Sequence, residues 1–236
     1  MCGIIAYIGY RNSVPILLSG LKKLEYRGYD SAGIAIIDNG IKIEKKKGRV
    51  SELGKEVKEL KSNIGIAHTR WATHGSPNKI NAHPHLDCKK EIAIIHNGII
   101  ENFPALKEML IKEGHIFTSQ TDSEVLAHLV EKFYTNNLKS AVIKSLELVE
   151  GAFGLAVIHK NHNEIIVARK GSPLILGIGK KEMFVASDVP AILQHTKKVI
   201  YLEDDDLAVI KNNSYQITNL KGRKTDRKIH EILYNI

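Results

Sequence analysis

Hydrophobic positions along this chain switch between short apolar runs and a spacing near 3.6, and the switches mark out the elements. Residues 3–9 form a run of small and apolar residues that reads as a buried strand. From 13 to 26, Leu17, Leu18, Leu21 and Leu24 fall on one face and predict a helix. Segments 32–38 and 41–47 then read as strands of a hairpin across Asn39-Gly40, residues that accept the positive φ of a tight turn. A polar amphipathic helix is expected over 51–61, and strands over 64–69 and 92–96. Between those strands runs loop 72–90, with Gly75, Pro77 and Pro84; a connection that long is often functional. One helix is expected after Asn102, with Pro104 in its first turn. Another is expected at 122–134, opened by Thr121-Asp122-Ser123-Glu124 as a capping box, and a third at 139–149. Short strands follow at 152–159, 164–169, 174–178, 183–187, 199–202, 206–211 and 214–219. Strands, then helices, then hairpin-linked strands argue for an α+β fold with antiparallel sheets, not a βαβ unit.

At 236 residues, with 43% hydrophobic and 25% charged, the chain is long enough for one large domain with a full core and a short tail. No apolar stretch is long enough for a bilayer, and residues 1–9 lack the basic start of a signal peptide. No membrane partner is therefore expected. Cys2 and Cys88 make no disulfide or metal pattern, which favours a reducing, cytoplasmic setting. The net charge of +8 is spread over scattered lysines, and the 6% of aromatic residues do not alternate with them. This suits a solvated surface, or attraction to anionic metabolites, better than nucleic acid. Lys221, Arg223, Lys224, Arg227 and Lys228 crowd the end and read as a linker or terminal helix. His83-Pro84-His85-Leu86-Asp87-Cys88 invites a metal reading, but its spacing fits no standard zinc pattern, so neither metal nor cofactor is expected.

Cys2 is the first chemical signal. Loss of Met1 would put a free α-amine on the residue that carries the thiol. An α-amine titrates near about pH 8, so it can serve as the base for its own nucleophile. The plain alternative is a small hydrophobe opening a strand. Four further clusters stand out. Arg27-Gly28-Tyr29-Asp30-Ser31-Ala32-Gly33 reads as a helix end or a site loop. His68-Thr69-Arg70-Trp71-Ala72-Thr73-His74-Gly75 puts an arginine fork at a strand end, where it can clasp a carboxylate or make a surface ion pair; Trp71 can serve a pocket or the core. His96-Asn97-Gly98 is either a turn or an oxyanion hole. Asp122 caps a helix or holds an ammonium group.

In this order, the clusters resemble the class II glutamine amidotransferases, whose glutaminase domain is an N-terminal-nucleophile hydrolase. Leu24-Glu25-Tyr26-Arg27-Gly28-Tyr29-Asp30 and Asn81-Ala82-His83-Pro84-His85 look most like the amino-sugar branch, whose members join this domain to a sugar-isomerase half that binds fructose 6-phosphate. The resemblance implies a four-layer αββα sandwich over 1–220, with 221–236 as a basic tail or linker toward that half. It implies Cys2 as nucleophile, and Asn97 and Gly98 as the oxyanion hole. Arg70 would hold the α-carboxylate of L-glutamine and Asp122 its α-amino group. Trp71, Thr73 and His74 would shape the pocket, and Arg27 would order the N-terminus. The same resemblance implies a homo-oligomeric full-length enzyme. This chain alone is expected to release ammonia from glutamine without making an amino sugar.

Overall fold

The computed structural model describes residues 2–71 and 75–233. Its elements, in chain order, are strand β1 (Gly3–Ile8), helix α1 (Ser13–Lys23), strands β2 (Ser31–Ile37) and β3 (Ile41–Lys47), and helix α2 (Val50–Glu56). Strands β4 (Ile64–Arg70), β5 (His85–Leu86) and β6 (Ile92–Ile100) lead to helices α3 (Phe103–Lys112), α4 (Glu124–Phe133) and α5 (Leu138–Leu146). The rest is strand: β7 (Gly151–His159), β8 (Ile165–Lys170), β9 (Ile175–Ile178), β10 (Met183–Ala186), β11 (Lys198–Tyr201), β12 (Asp206–Lys211), β13 (Ser214–Asn219) and β14 (His230–Glu231).

Eight strands form one sheet, in the order β14-β11-β9-β10-β1-β4-β2-β3; six form the other, in the order β13-β12-β8-β7-β6-β5. Neighbours are antiparallel throughout both sheets. Side-chain alternation explains how they stack. In β1, Ile5 and Tyr7 face α1 and α2, while Ile4, Ala6 and Ile8 face the second sheet. In β6, Ala93 and Ile95 face the first sheet, while Ile92 and Ile94 face α3, α4 and α5. Three apolar cores thus separate helix, sheet, sheet and helix layers. This is the expected αββα sandwich, and both central sheets read as near-continuous apolar runs because each is covered on two faces.

Three local differences from the expected elements bear on the site. The helix expected to residue 26 ends at Lys23, and Glu25–Arg27 tighten into a 3₁₀ turn closed by Gly28. The strand expected to end at 96 runs on through Asn97 and Gly98 to Ile100, paired with β7 throughout. The capping box is not formed. Ser123 is the N-cap residue of α4 and its side chain caps nothing, while Glu124 instead accepts the backbone N–H groups of Thr118 (2.8 Å) and Ser119 (2.6 Å). Nor does the basic C-terminal segment run free of the domain. Arg227 pairs with Asp206 and Glu203, β14 adds to the edge of the first sheet beside β11, and Ile232 is buried.

Candidate active site

Strand pairing assembles the site. β1 and β4 are antiparallel with Gly3 opposite Thr69, so the start of β1 lies beside the end of β4. Cys2 therefore meets Arg70 and Trp71. Its sulfur accepts the Trp71 backbone N–H at 3.2 Å and lies 3.6 Å from the Trp71 carbonyl. Gly3 allows this approach: a Cβ there would lie 2.6 Å from Thr69 Oγ1 and 2.7 Å from Leu24 Cβ. Gly28 does the same from the other side, because its Cβ would lie 2.8 Å from the Trp71 nitrogen.

The carbonyl of Cys2 is held twice. Arg27 Nε donates to it at 3.1 Å, and Asn97 Nδ2 at 3.0 Å. Arg27, itself buried, is fixed from behind by Asp188 at 3.2 Å. Asn97 reaches Cys2 because the sheets stack with β6 over β4. His68 Nε2, on β4, lies 3.0 Å from Asn97 Oδ1 and 3.1 Å from the His96 carbonyl. Both partners are acceptors, so Nε2 carries the proton. That bond orients the Asn97 amide, and the second hydrogen on Nδ2 is left to the cavity it lines with Cys2, Gly98 and Trp71. Gly98 has φ +130°, and a Cβ there would sit 2.0 Å from the Ala152 carbonyl oxygen.

An adjoining small cavity is lined by Cys2, Arg70, Asp122 and Gly98. Arg70 and Asp122 are both buried. The guanidinium donates to the carbonyls of Gly75 (3.2 Å) and Ser76 (3.5 Å), which ties β4 to the long loop. Asp122 accepts the Ile100 N–H at 2.8 Å, so it ties α4 to the end of β6 and is not a helix cap. Burial pushes the Cys2 thiol up, while the Trp71 N–H and the Arg70 and Arg27 charges pull the other way. The net shift is upward, which leaves the thiol in need of a base at neutral pH.

Of the residues singled out from sequence, the fold thus brings together Cys2, Arg27, Arg70, Trp71, Asn97, Gly98 and Asp122. Trp71 is half-exposed, with its ring edge-on to Tyr29, and is not a core residue. Thr73 and His74 lie outside the described residues. Sequence reading gave no separate role to His68 or Asp188. Their signal was faint: a histidine amid a buried apolar strand, and an acid 161 residues from the arginine it holds. His83 and His85 gather behind the site. His83 stacks on His68 with ring centroids 4.2 Å apart, and His85 Nε2 lies 3.0 Å from Thr121 Oγ1.

A two-sheet sandwich with a cysteine at the head of a central strand, beside a buried arginine and aspartate, is the architecture of an N-terminal-nucleophile amidohydrolase. The family model for the glutamine amidotransferase domain matches residues 54–233, and the chain belongs to that family. The glutamine–fructose-6-phosphate aminotransferase (isomerizing) of Chlorobaculum tepidum is 48% identical over 246 residues, covering 100% of this chain and 40% of that protein. Its counterpart in Thermotoga maritima is 48% identical over 236 residues, covering 98% and 39%. The chain spans about two fifths of the length of these curated relatives. Among solved structures, the glutamine phosphoribosylpyrophosphate amidotransferase of B. subtilis superposes with a TM-score of 0.80 at 27% identity, over 93% of this chain and 49% of that one. No helix among the described residues is long and apolar enough to cross a membrane.

Proposed function

We propose that this chain is the glutaminase part of a glutamine–fructose-6-phosphate aminotransferase (isomerizing), hydrolysing L-glutamine to glutamate and ammonia. The observation that carries the reading is the shared cavity. A thiol, a buried cation and a buried anion line one small space, and an amide donor stands beside the thiol. A free α-amino acid carries the complementary pair of charges. Arg70 takes the α-carboxylate and Asp122 the α-ammonium, and the side-chain amide is left facing Cys2. Trp71, Thr73 and His74 would shape and cover the pocket.

Chemistry then follows from the positions of the groups. After Met1 is removed, the α-amine of Cys2 accepts the thiol proton. The sulfur bonds to the amide carbon, and the carbonyl π pair moves to oxygen. Asn97 Nδ2 and the Gly98 N–H stabilise that oxyanion; one such donor contributes about 3 kcal/mol in comparable sites. The C–N bond breaks as the protonated amine returns its proton to nitrogen, and ammonia leaves. Water, deprotonated by the same amine, attacks the glutamyl thioester. Glutamate leaves and the thiol is restored.

The ammonia would pass to a sugar-isomerase half that binds fructose 6-phosphate and yields glucosamine 6-phosphate, in a cytoplasmic, homo-oligomeric enzyme. The close relatives support this acceptor by name. The test is the intact mass of the chain before and after exposure to 6-diazo-5-oxo-L-norleucine, an electrophilic glutamine analogue. Loss of Met1 and a single adduct mapping to Cys2 are expected. A retained Met1, or a processed chain that takes no adduct, refutes the reading.

A further inference from the structure

We propose a second site, outside the glutamine cavity: Cys88, His115, His128 and Glu131 form a four-ligand site for a zinc ion. The four come from three separate segments. Cys88 lies in the turn between β5 and β6, and His115 lies just past α3. His128 and Glu131 are three residues apart on α4, so they share one helix face. None of the four lines the cavity around Cys2.

The spacing is that of a tetrahedral ion. With Zn–S of about 2.3 Å and Zn–N or Zn–O of about 2.0–2.1 Å, the edges of the ligand tetrahedron should measure about 3.3–3.6 Å. Cys88 Sγ lies 3.5 Å from His128 Nδ1 and 3.7 Å from His115 Nδ1. Glu131 Oε2 lies 3.1 Å from His115 Nδ1 and 3.6 Å from His128 Nδ1. All the ligand atoms fall within 4.8 Å of one another.

Chemistry and surroundings agree with the spacing. A thiolate and a carboxylate balance a divalent charge, which matters where His128 and Glu131 are buried or nearly so. Thiolate and imidazole together select zinc over the hard cations. The far nitrogen of His128, Nε2, faces Glu124 Oε1 at 3.8 Å, and that carboxylate is pinned by Thr118 and Ser119. Nε2 makes no hydrogen bond at that distance, but the buried negative charge beside it favours a proton on Nε2 and so leaves Nδ1 to ligate. The sulfur also accepts the Ile116 N–H at 3.3 Å. A surface cleft lined by Lys89, Glu113, Gly114 and Lys132 opens onto the cluster and gives an ion its way in. The hexapeptide 83–88 conceals this arrangement, because His83 and His85 turn inward while Cys88 turns toward α4. The ion would join the β5–β6 turn and the irregular segment 113–123, which carries Asp122, to α4.

The experiment uses the whole chain. Zinc is measured by mass spectrometry on protein purified without chelator. The chelator-stripped protein is then titrated with Co²⁺ and followed by absorbance, with circular dichroism to establish folding. One zinc per chain is expected, and a thiolate-to-cobalt charge-transfer band. Cys88→Ala should abolish the band, and His115→Ala should weaken Zn²⁺ binding more than about tenfold. Cys2→Ala should keep both, since Cys2 is not the ligating thiol. A folded wild-type chain that gives no band overturns the proposal. So does a metal held equally well by folded Cys88→Ala and His115→Ala, or a cluster that proves to be only a hydrogen-bonded set of thiol, imidazoles and carboxylate.

Discussion

Taking the pH from about 7.5 to about 5.5 should remove much of this protein's stability, and the buried histidines set the amount. Burial holds His68 down to about 3 and His159 to about 4, and it holds His83 and His85 well below the usual histidine range. All four side chains are buried. In the unfolded chain each titrates near about 6.5. The folded value is the lower one, so these groups favour the folded state above about 6.5, and that advantage is lost as the pH falls below it. At about pH 5.5 the unfolded chain binds close to one extra proton per histidine, a loss of about 1.4 kcal/mol each relative to neutral pH. Four such groups give about 5 kcal/mol, as large as the whole stability of many domains. The assay is urea unfolding across this range, with chelator present so that metal release does not contribute. The free energy should fall ever more steeply below about pH 6.5, toward three to four protons of slope. His68→Gln should remove about one of these protons whatever it does to the absolute stability. A slope under about one proton across the range would refute the claim that these rings are buried neutral.

Two substitutions distinguish damage confined to the glutamine site from damage that includes the fold. Asp122→Asn keeps an oxygen to accept the Ile100 N–H but removes the charge, so unfolding should change little. A lost charge-assisted contact of about 1.5–3 kcal/mol predicts that kcat/KM for glutamine falls about ten- to hundredfold, and steady-state kinetics would read it. Gly98→Ala should do the opposite kind of damage. Its methyl would press on the Ala152 carbonyl in a backbone conformation that alanine resists, so a cost above about 2 kcal/mol is expected in denaturant unfolding, together with loss of turnover.

What the sequence made legible was what local chemistry decides. Asn39-Gly40 turns the β2–β3 hairpin as expected, with φ of 50° and 124°, because both residues tolerate that backbone wherever they stand. The apolar strand runs and the layered α+β architecture follow from the same local rules. The site was legible mainly as a set of motifs in order, since Cys2, Arg70, Asn97 and Asp122 are distant in sequence and only strand register brings them together. Where a local reading failed, a tertiary partner had outbid it. Thr121-Asp122-Ser123-Glu124 has the letters of a capping box, but Ile100 claims Asp122 and the 118–119 backbone claims Glu124. Asn97-Gly98 has the letters of a turn, but pairing with β7 carries the strand through it. Cys88 shows the limit most plainly: its partners His115 and His128 lie 27 and 40 residues away, so no spacing rule could find them.

Two side chains, Arg27 and Asn97, grip Cys2 by its peptide carbonyl, while the sulfur meets only the backbone N–H and carbonyl of Trp71. The carbonyl contacts are thus blind to which nucleophile they present, and the Trp71 N–H can meet a hydroxyl oxygen as it meets the sulfur. A serine placed there would inherit the same address and the same flanking donors. Placing residue 2 is largely a matter of its backbone, and a different side chain could be tried there without redesigning the mount.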